Sequence, residues 1–353
     1  MKRNHMLWPT LALVWLSGCA MTPESNSTQV VMEEAMVPSA PGISVYVRNK
    51  RPAGMTSFSA EKTVLYVHGA TYPSETAFDL NLGGFSWMDY IARAGYDVWL
   101  VDVRGYGGST RPPAMDQPPG ANPPFGTTAE AVKDVGAAVD HILKKRGLQK
   151  LNLIGWSWGT VTMAWYTAQN NAKVNKLVLY APVWIRTTAS LVQAGPGPTP
   201  AYRTVPMTAA KQRWLTGVKP EKQADLIPPG WFEAWAEATW KTDPKAMSQN
   251  PPVLRAPNGV VADGLRYWGA GAGKASMPFS ASDIRVPVLL IKAEWDADTP
   301  AYMAQTLFPL LTGAPYKRYV EIGEGTHTVI MEKNRMDLFR EVQLFLDEGP
   351  ARR

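Results

Sequence analysis

Apolar positions in this chain gather into short dense runs, with longer amphipathic stretches between them. Residues 43–48 alternate apolar and polar, as a half-buried strand does. The runs at 62–67, 98–101, 151–154, 177–180, 286–292 and 318–322 are denser. Strands covered on both faces read this way, because neither side meets water. Helical patterns fall between them at 85–94, from 127 or 128 to 145, from 160 onward, at 301–311 and at 333–346. Gly95 and Gly147 stop the first two, and Lys144, Lys145 and Arg146 suit the negative end of the second. This alternation predicts an α/β fold, a mostly parallel twisted sheet with helices on both faces.

The alternation pauses from 183 to 283. That stretch holds Trp184, Trp214, Trp231, Trp235, Trp240 and Trp268, many prolines, and a helical pattern at 231–240. No strand pattern stands out in it. A helical cap over 183–283 is therefore expected, inserted into a core made of 43–182 and 284–347. The proline-rich segment 112–124 reads as an excursion over the surface.

The chain begins differently. Lys2 and Arg3 precede an apolar run at 6–16, too short to span a bilayer, which ends in Leu16-Ser17-Gly18-Cys19. This resembles a bacterial lipoprotein signal, which implies cleavage after residue 18, a lipid on Cys19 and a membrane as partner. Ala20 rather than aspartate follows, which by the same resemblance points to the outer membrane. Residues 19–42 are polar and carry Pro23, Pro38 and Pro41, so they read as a flexible tether, with folding expected to start near Ile43. The single cysteine also excludes an intramolecular disulfide framework and a thiolate metal site. With 353 residues, 45% of them apolar, the chain can bury a large core. Its net charge of +6 is not clustered, so no nucleic-acid footprint is expected.

The chemistry centres on Gly155-Trp156-Ser157-Trp158-Gly159, set between a strand and a helix. That is the pattern of a nucleophile elbow, a tight turn with serine at its tip. Its glycines are required where strand, helix and serine backbone crowd together. The new helix aims unpaired N–H groups at the space beside Ser157, which suits a developing oxyanion. His68-Gly69-Ala70-Thr71 and the stretch from Asp102 through Arg104 to Ser109 lie upstream. Glu294, Asp296 and Asp298 follow a later strand, and His327 comes last.

In this order the motifs resemble the α/β-hydrolase fold family across roughly residues 43–346. The resemblance implies a triad in the order nucleophile, acid, histidine. Of four histidines, His5 lies in the signal, His68 in the His-Gly loop and His141 in a helix before the elbow. His327 alone follows both Ser157 and a candidate acid. In the family the acid commonly precedes the loop proline by four residues, which selects Asp296, with Asp298 as the fallback. Asp298 suits equally the cap of the helix near Pro300. The backbone N–H groups of Ala70 and Trp158 are the implied oxyanion donors. His68 and the Asp102–Arg104 turn are expected to order loops rather than do chemistry.

The serine at the elbow excludes the alkyl-enzyme chemistry of relatives with aspartate there. Acyl transfer to water through an acyl-serine is expected, with no cofactor and no metal. The substrate reading is an apolar or aromatic ester, with the cap tryptophans as pocket walls or as the cap's own core. Arg186, Arg203 or Arg266 are alternative partners for a substrate carboxylate. Two other readings are an aminopeptidase of the same fold, using Glu233 and Glu237, and a non-catalytic envelope binding protein. The role of Trp156 is left open.

Overall fold

The computed structural model describes residue 1, residues 29–270 and residues 276–349. The signal stretch, His5 and the Cys19 lipidation site lie outside them.

The described fold starts earlier than expected. Strand β1 (Val30–Ala40) pairs antiparallel with β2 (Ile43–Pro52), with Val31 opposite Arg51 and Val37 opposite Val45. The tether expected over 19–42 is thus corrected from Val30 onward. The segment looked like a tether because it is an edge strand: Val37 is buried, while Met32 and Met36 face outward. Its acidic positions pair with bases, Glu33 with Arg146 at 2.9 Å and Glu34 with Arg48 at 2.9 Å.

The sheet continues with β3 (Thr63–Val67), helices α1 (Ser74–Phe78) and α2 (Trp87–Arg93), and β4 (Asp97–Asp102). Helix α3 (Thr128–Arg146) follows, then β5 (Leu151–Trp156), α4 (Trp158–Gln169) and β6 (Val174–Tyr180). Thr127 and Glu130 form a capping box at the start of α3, and Gly147 ends it in the left-handed region at φ 67°. The chain then leaves the sheet for an insertion: β7 (Tyr202–Pro206), α5 (Met207–Trp214), α6 (Pro220–Leu226), α7 (Trp231–Lys241), β8 (Val253–Pro257) and α8 (Gly259–Asp263). It returns as β9 (Val288–Ala293), α9 (Ala301–Leu310), β10 (Lys317–Ile322) and α10 (Arg335–Asp347).

The sheet order is β1-β2-β4-β3-β5-β6-β9-β10. Strands from β4 to β10 run parallel, and the β1–β2 hairpin joins antiparallel at one edge. Every residue of β3, β4, β5 and β9 is buried. Successive side chains feed opposite cores: Leu65, Val67 and Leu153 pack with α3 and α4, whereas Val64, Tyr66 and Ile154 pack with α2, α10 and part of the insertion. Two covered faces explain the dense apolar runs.

The insertion is not purely helical. β7 and β8 pair antiparallel, Tyr202 opposite Pro257. They escaped the sequence pattern because each is five residues long, carries arginine and proline, and finds its partner some fifty residues away. Among the described residues, no helix is long and apolar enough to cross a membrane.

Candidate active site

Ser157 sits between β5 and α4 with φ 57° and ψ −122°, a strained conformation for a non-glycine residue. The flanking glycines permit it. A Cβ on Gly155 would stand 2.3 Å from the Gly159 carbonyl oxygen, and one on Gly159 would stand 2.6 Å from that of His68. The Ser157 N–H donates to the Tyr180 carbonyl at 2.9 Å, and the Thr160 hydroxyl donates to the Ser157 carbonyl at 2.5 Å. The turn is therefore tied to β6 as well as to its own helix.

The three acids after β9 separate cleanly. His327 Nδ1 lies 2.9 Å and 3.0 Å from the two carboxylate oxygens of Asp296. Both are acceptors, so Nδ1 carries the proton and Nε2 is the free ring nitrogen of the neutral form. Thr299 fixes Asp296 in turn, donating from its N–H at 2.8 Å and its hydroxyl at 2.6 Å. Asp298 instead pairs with Arg213 of α5 at 2.8 Å. Glu294 accepts from the Glu324 N–H and faces away.

Burial disfavours the imidazolium of His327. The charges of Asp296 and Asp298 and the Asp296 hydrogen bond outweigh that penalty and the opposing charge of Arg213, so its pKa is raised. His68 behaves oppositely: burial lowers its pKa to about 4. Its Nε2 accepts from the Val103 N–H at 3.1 Å and its Nδ1 donates to the Gly69 carbonyl at 2.7 Å. It is a neutral strut under the His-Gly loop.

The Ala70 carbonyl receives the Tyr106 hydroxyl at 2.7 Å and Arg203 Nη2 at 2.6 Å. A Cβ on Gly69 would stand 3.0 Å from the Ser157 Cβ, so this loop lies directly on the elbow. Trp158 opens α4, where the first N–H groups have no intrahelical partner. Its indole is buried and donates to the Thr128 hydroxyl at 2.9 Å. Trp156 lies on the other face of the sheet, where its indole donates to the His327 carbonyl at 3.1 Å.

The remaining sequence candidates sort by position. Asp102 accepts from the Ser74 and Gly108 N–H groups at 2.6 Å and 3.1 Å, and Arg104 grips Asp134 at 2.7 Å and 2.9 Å. Both knit loops together. His141 stands on α3 against Trp99. Arg203 is half-buried, and its partners are the Ala70 and Pro257 carbonyls, Thr71 and Asn258. Arg186 donates to three backbone carbonyls and borders the cleft, while Arg266 lies over the Tyr267 ring at the surface. Glu233 and Glu237 are solvent-exposed and pair with Lys211 and Lys241. Of the cap tryptophans, Trp214, Trp235 and Trp268 line the cleft; Trp184, Trp231 and Trp240 pack elsewhere.

Sequence reasoning missed Arg213, Tyr180 and Glu332. Tyr180 donates its hydroxyl to the His327 carbonyl at 2.7 Å. Glu332 is buried beside Thr326 and accepts from Trp214 at 2.8 Å, and burial raises its pKa to about 7. None carries a motif: Arg213 pairs with Asp298, Tyr180 with His327 and Glu332 with Trp214, each far away in sequence. Among the described residues, no cluster of three or more His, Cys, Asp or Glu is arranged to hold a metal.

The profile of the alpha/beta hydrolase fold family matches residues 62–334. The chain belongs to the α/β-hydrolase fold family. Curated relatives of this chain include mouse lipase member N, 29% identical over 143 residues, covering 38% of this chain and 36% of that one. Mouse gastric triacylglycerol lipase is 27% identical over 163 residues, covering 45% of this chain and 40% of that one. The matches thus span well under half the length of these lipases. Among solved structures, a serine hydrolase from the polyaromatic-hydrocarbon-degrading bacterium Cycloclasticus zankles superposes with a TM-score of 0.58 at 16% identity, covering 90% of this chain and 98% of that one. The esterase RhEst1 from a Rhodococcus species gives a TM-score of 0.55 at 18% identity, covering 89% of this chain and 98% of that one. At such identity these two likenesses speak for the fold.

Proposed function

We propose that this hydrolase cleaves carboxylic esters through an acyl-serine. The observation that carries the reading is the buried Asp296–His327 pair, whose histidine borders the same cavity as the strained Ser157. Ser157 Oγ attacks the ester carbon while His327 Nε2 takes its proton. The carbonyl π electrons move to oxygen, and the backbone N–H groups of Ala70 and Trp158 stabilise the oxyanion. On collapse the bond to the alcohol oxygen breaks, its electron pair stays on that oxygen, and His327 returns the proton. Water then repeats the sequence on the acyl-enzyme and frees Ser157. Asp296 holds the imidazole tautomer throughout.

The lipase relatives favour an ester over a peptide, and the exposed positions of Glu233 and Glu237 remove the acidic pair an aminopeptidase reading needed. A binding protein has no use for a strained serine beside a paired histidine. The test is ester hydrolysis by wild type and Ser157→Ala: turnover should fall on the order of 10⁶-fold, and activity that survives the substitution sinks the mechanism. Lipid anchoring through Cys19 at the outer membrane belongs to the same proposal. It rests on the signal-like stretch ending at Cys19, and absence of radiolabelled palmitate from wild type in a bacterial host would refute it.

A further inference from the structure

Ser157 stands where two unequal cavities meet. The smaller, about 20 Å³, is bordered by Tyr72, Ala210, Trp214, Trp235 and His327. That is room for about one water-sized group. The larger, about 390 Å³, is bordered by Trp158, Val192, Val260, Val261, Leu265 and Trp268. Ala70, Ser157 and the Arg213–Asp298 pair border both, whereas His327 borders the smaller one only.

The tetrahedral carbon on Ser157 carries three further substituents, and the proposed mechanism assigns a direction to each. The oxyanion faces the Ala70 and Trp158 N–H groups. The leaving oxygen must come within hydrogen-bond reach of His327, since that imidazole protonates it. The alcohol therefore enters the small arm. The acyl chain takes the remaining direction, into the large one.

The small arm is not free to widen. Trp235 packs edge-on against Tyr72 at 4.7 Å, Trp214 at 5.2 Å and Trp240 at 6.0 Å between ring centres. The Trp214 indole is further held by Glu332 at 2.8 Å. Interlocked rings of this kind resist rearrangement. Beside its apolar side chains the large arm also carries Arg186, Gln193, Arg213 and Asp298, and Leu265, 61% exposed, leaves an apolar residue at its edge. Once a small alcohol has left, the small arm holds the one water that deacylation needs.

We propose that the enzyme is selective for the acid side of its substrate: it takes esters of a bulky apolar acid with a very small alcohol. This rests on the acyl-serine reading above. Two isomers test it on the purified full chain by titration of released acid: methyl octanoate, with a large acid and small alcohol, and heptyl acetate, with the reverse. Methyl octanoate should lead in kcat/KM by at least about tenfold. Equal or reversed preference overturns the proposal while leaving the serine mechanism standing. Trp235→Ala should raise heptyl acetate relative to methyl octanoate by at least about tenfold, and Val261→Trp should lower methyl octanoate relative to methyl acetate by a similar factor. If both ratios stay at the wild-type values, the assignment of arms is wrong. Wild type that hydrolyses none of the three esters, or Ser157→Ala that still hydrolyses them, overturns the esterase reading itself.

Discussion

The Trp156 indole N–H donates to the backbone carbonyl of His327 across 3.1 Å, so the residue before the serine holds the histidine in place. Tyr180, paired with Trp156 across β5 and β6, donates its hydroxyl to the same oxygen at 2.7 Å. The two rings stack at 6.0 Å and 8°. Serine and histidine are thereby mounted on one rigid block, although 170 residues separate them in the chain. Trp156→Phe keeps an aromatic ring but removes the N–H and half of the buried indole. It should lower kcat about tenfold through a misplaced imidazole, with KM unchanged. Stability should fall by about 2 kcal/mol, from one lost hydrogen bond and a partly emptied core site. Steady-state kinetics and urea unfolding check both. A change confined to KM would mean that the indole serves substrate binding instead.

Asp296 and Asp298 differ by two positions and should fail differently. Asp296→Asn lets the wrong imidazole tautomer form, and kcat should drop roughly 10⁴-fold with the fold intact. Asp298→Asn strands Arg213 against the cleft without its carboxylate. Removing one partner of a buried pair costs about 3 kcal/mol, so this variant should lose mainly stability. Thermal melts beside kinetics distinguish them; the reverse assignment of effects would make Asp298 the orienting acid.

The pH profile follows from the charges around His327. Only neutral imidazole can take the serine proton, so kcat/KM should fall as pH falls through the His327 pKa, which lies above the ordinary imidazole value. Asp298 favours the imidazolium and Arg213 opposes it. Asp298→Asn should therefore move the acid limb to lower pH, and Arg213→Gln should move it to higher pH. Profiles that shift together, or not at all, would show that another group controls the limb.

The main-sheet strands and their helices were legible because burial on both faces imposes a local pattern. The places of Ser157, Asp296 and His327 were legible because each sits just after a recognisable strand. Three features were not. β1 carries Glu33, Glu34 and Pro38, and reads as a tether until the arginines that pair with it are known to be near. The β7–β8 pair depends on partners some fifty residues apart. The spacing to Pro300 already favoured Asp296, but the partner that occupies Asp298, Arg213 of the insertion, has no motif around it. What failed to show was in each case a long-range pairing of polar groups, which leaves no period in the chain.

Arg203 raises the same issue at the oxyanion loop. It reaches from β7 to donate to the Ala70 carbonyl at 2.6 Å and to the Thr71 hydroxyl at 2.9 Å. Burial and the positive charge of Arg213 lower its pKa to about 10, so it stays cationic at neutral pH. With Tyr106 it holds the Ala70 carbonyl from two sides and so braces the loop whose N–H is the proposed oxyanion donor. Arg203→Met keeps the apolar stem and removes the donors. It should lower kcat by about 10² while KM moves little, because the donor acts on charge that exists only in the transition state. Binding of a methyl phosphonate, which presents a tetrahedral anion, should weaken in parallel with kcat. A variant that melts earlier yet keeps wild-type kcat would reduce Arg203 to a strut between insertion and core.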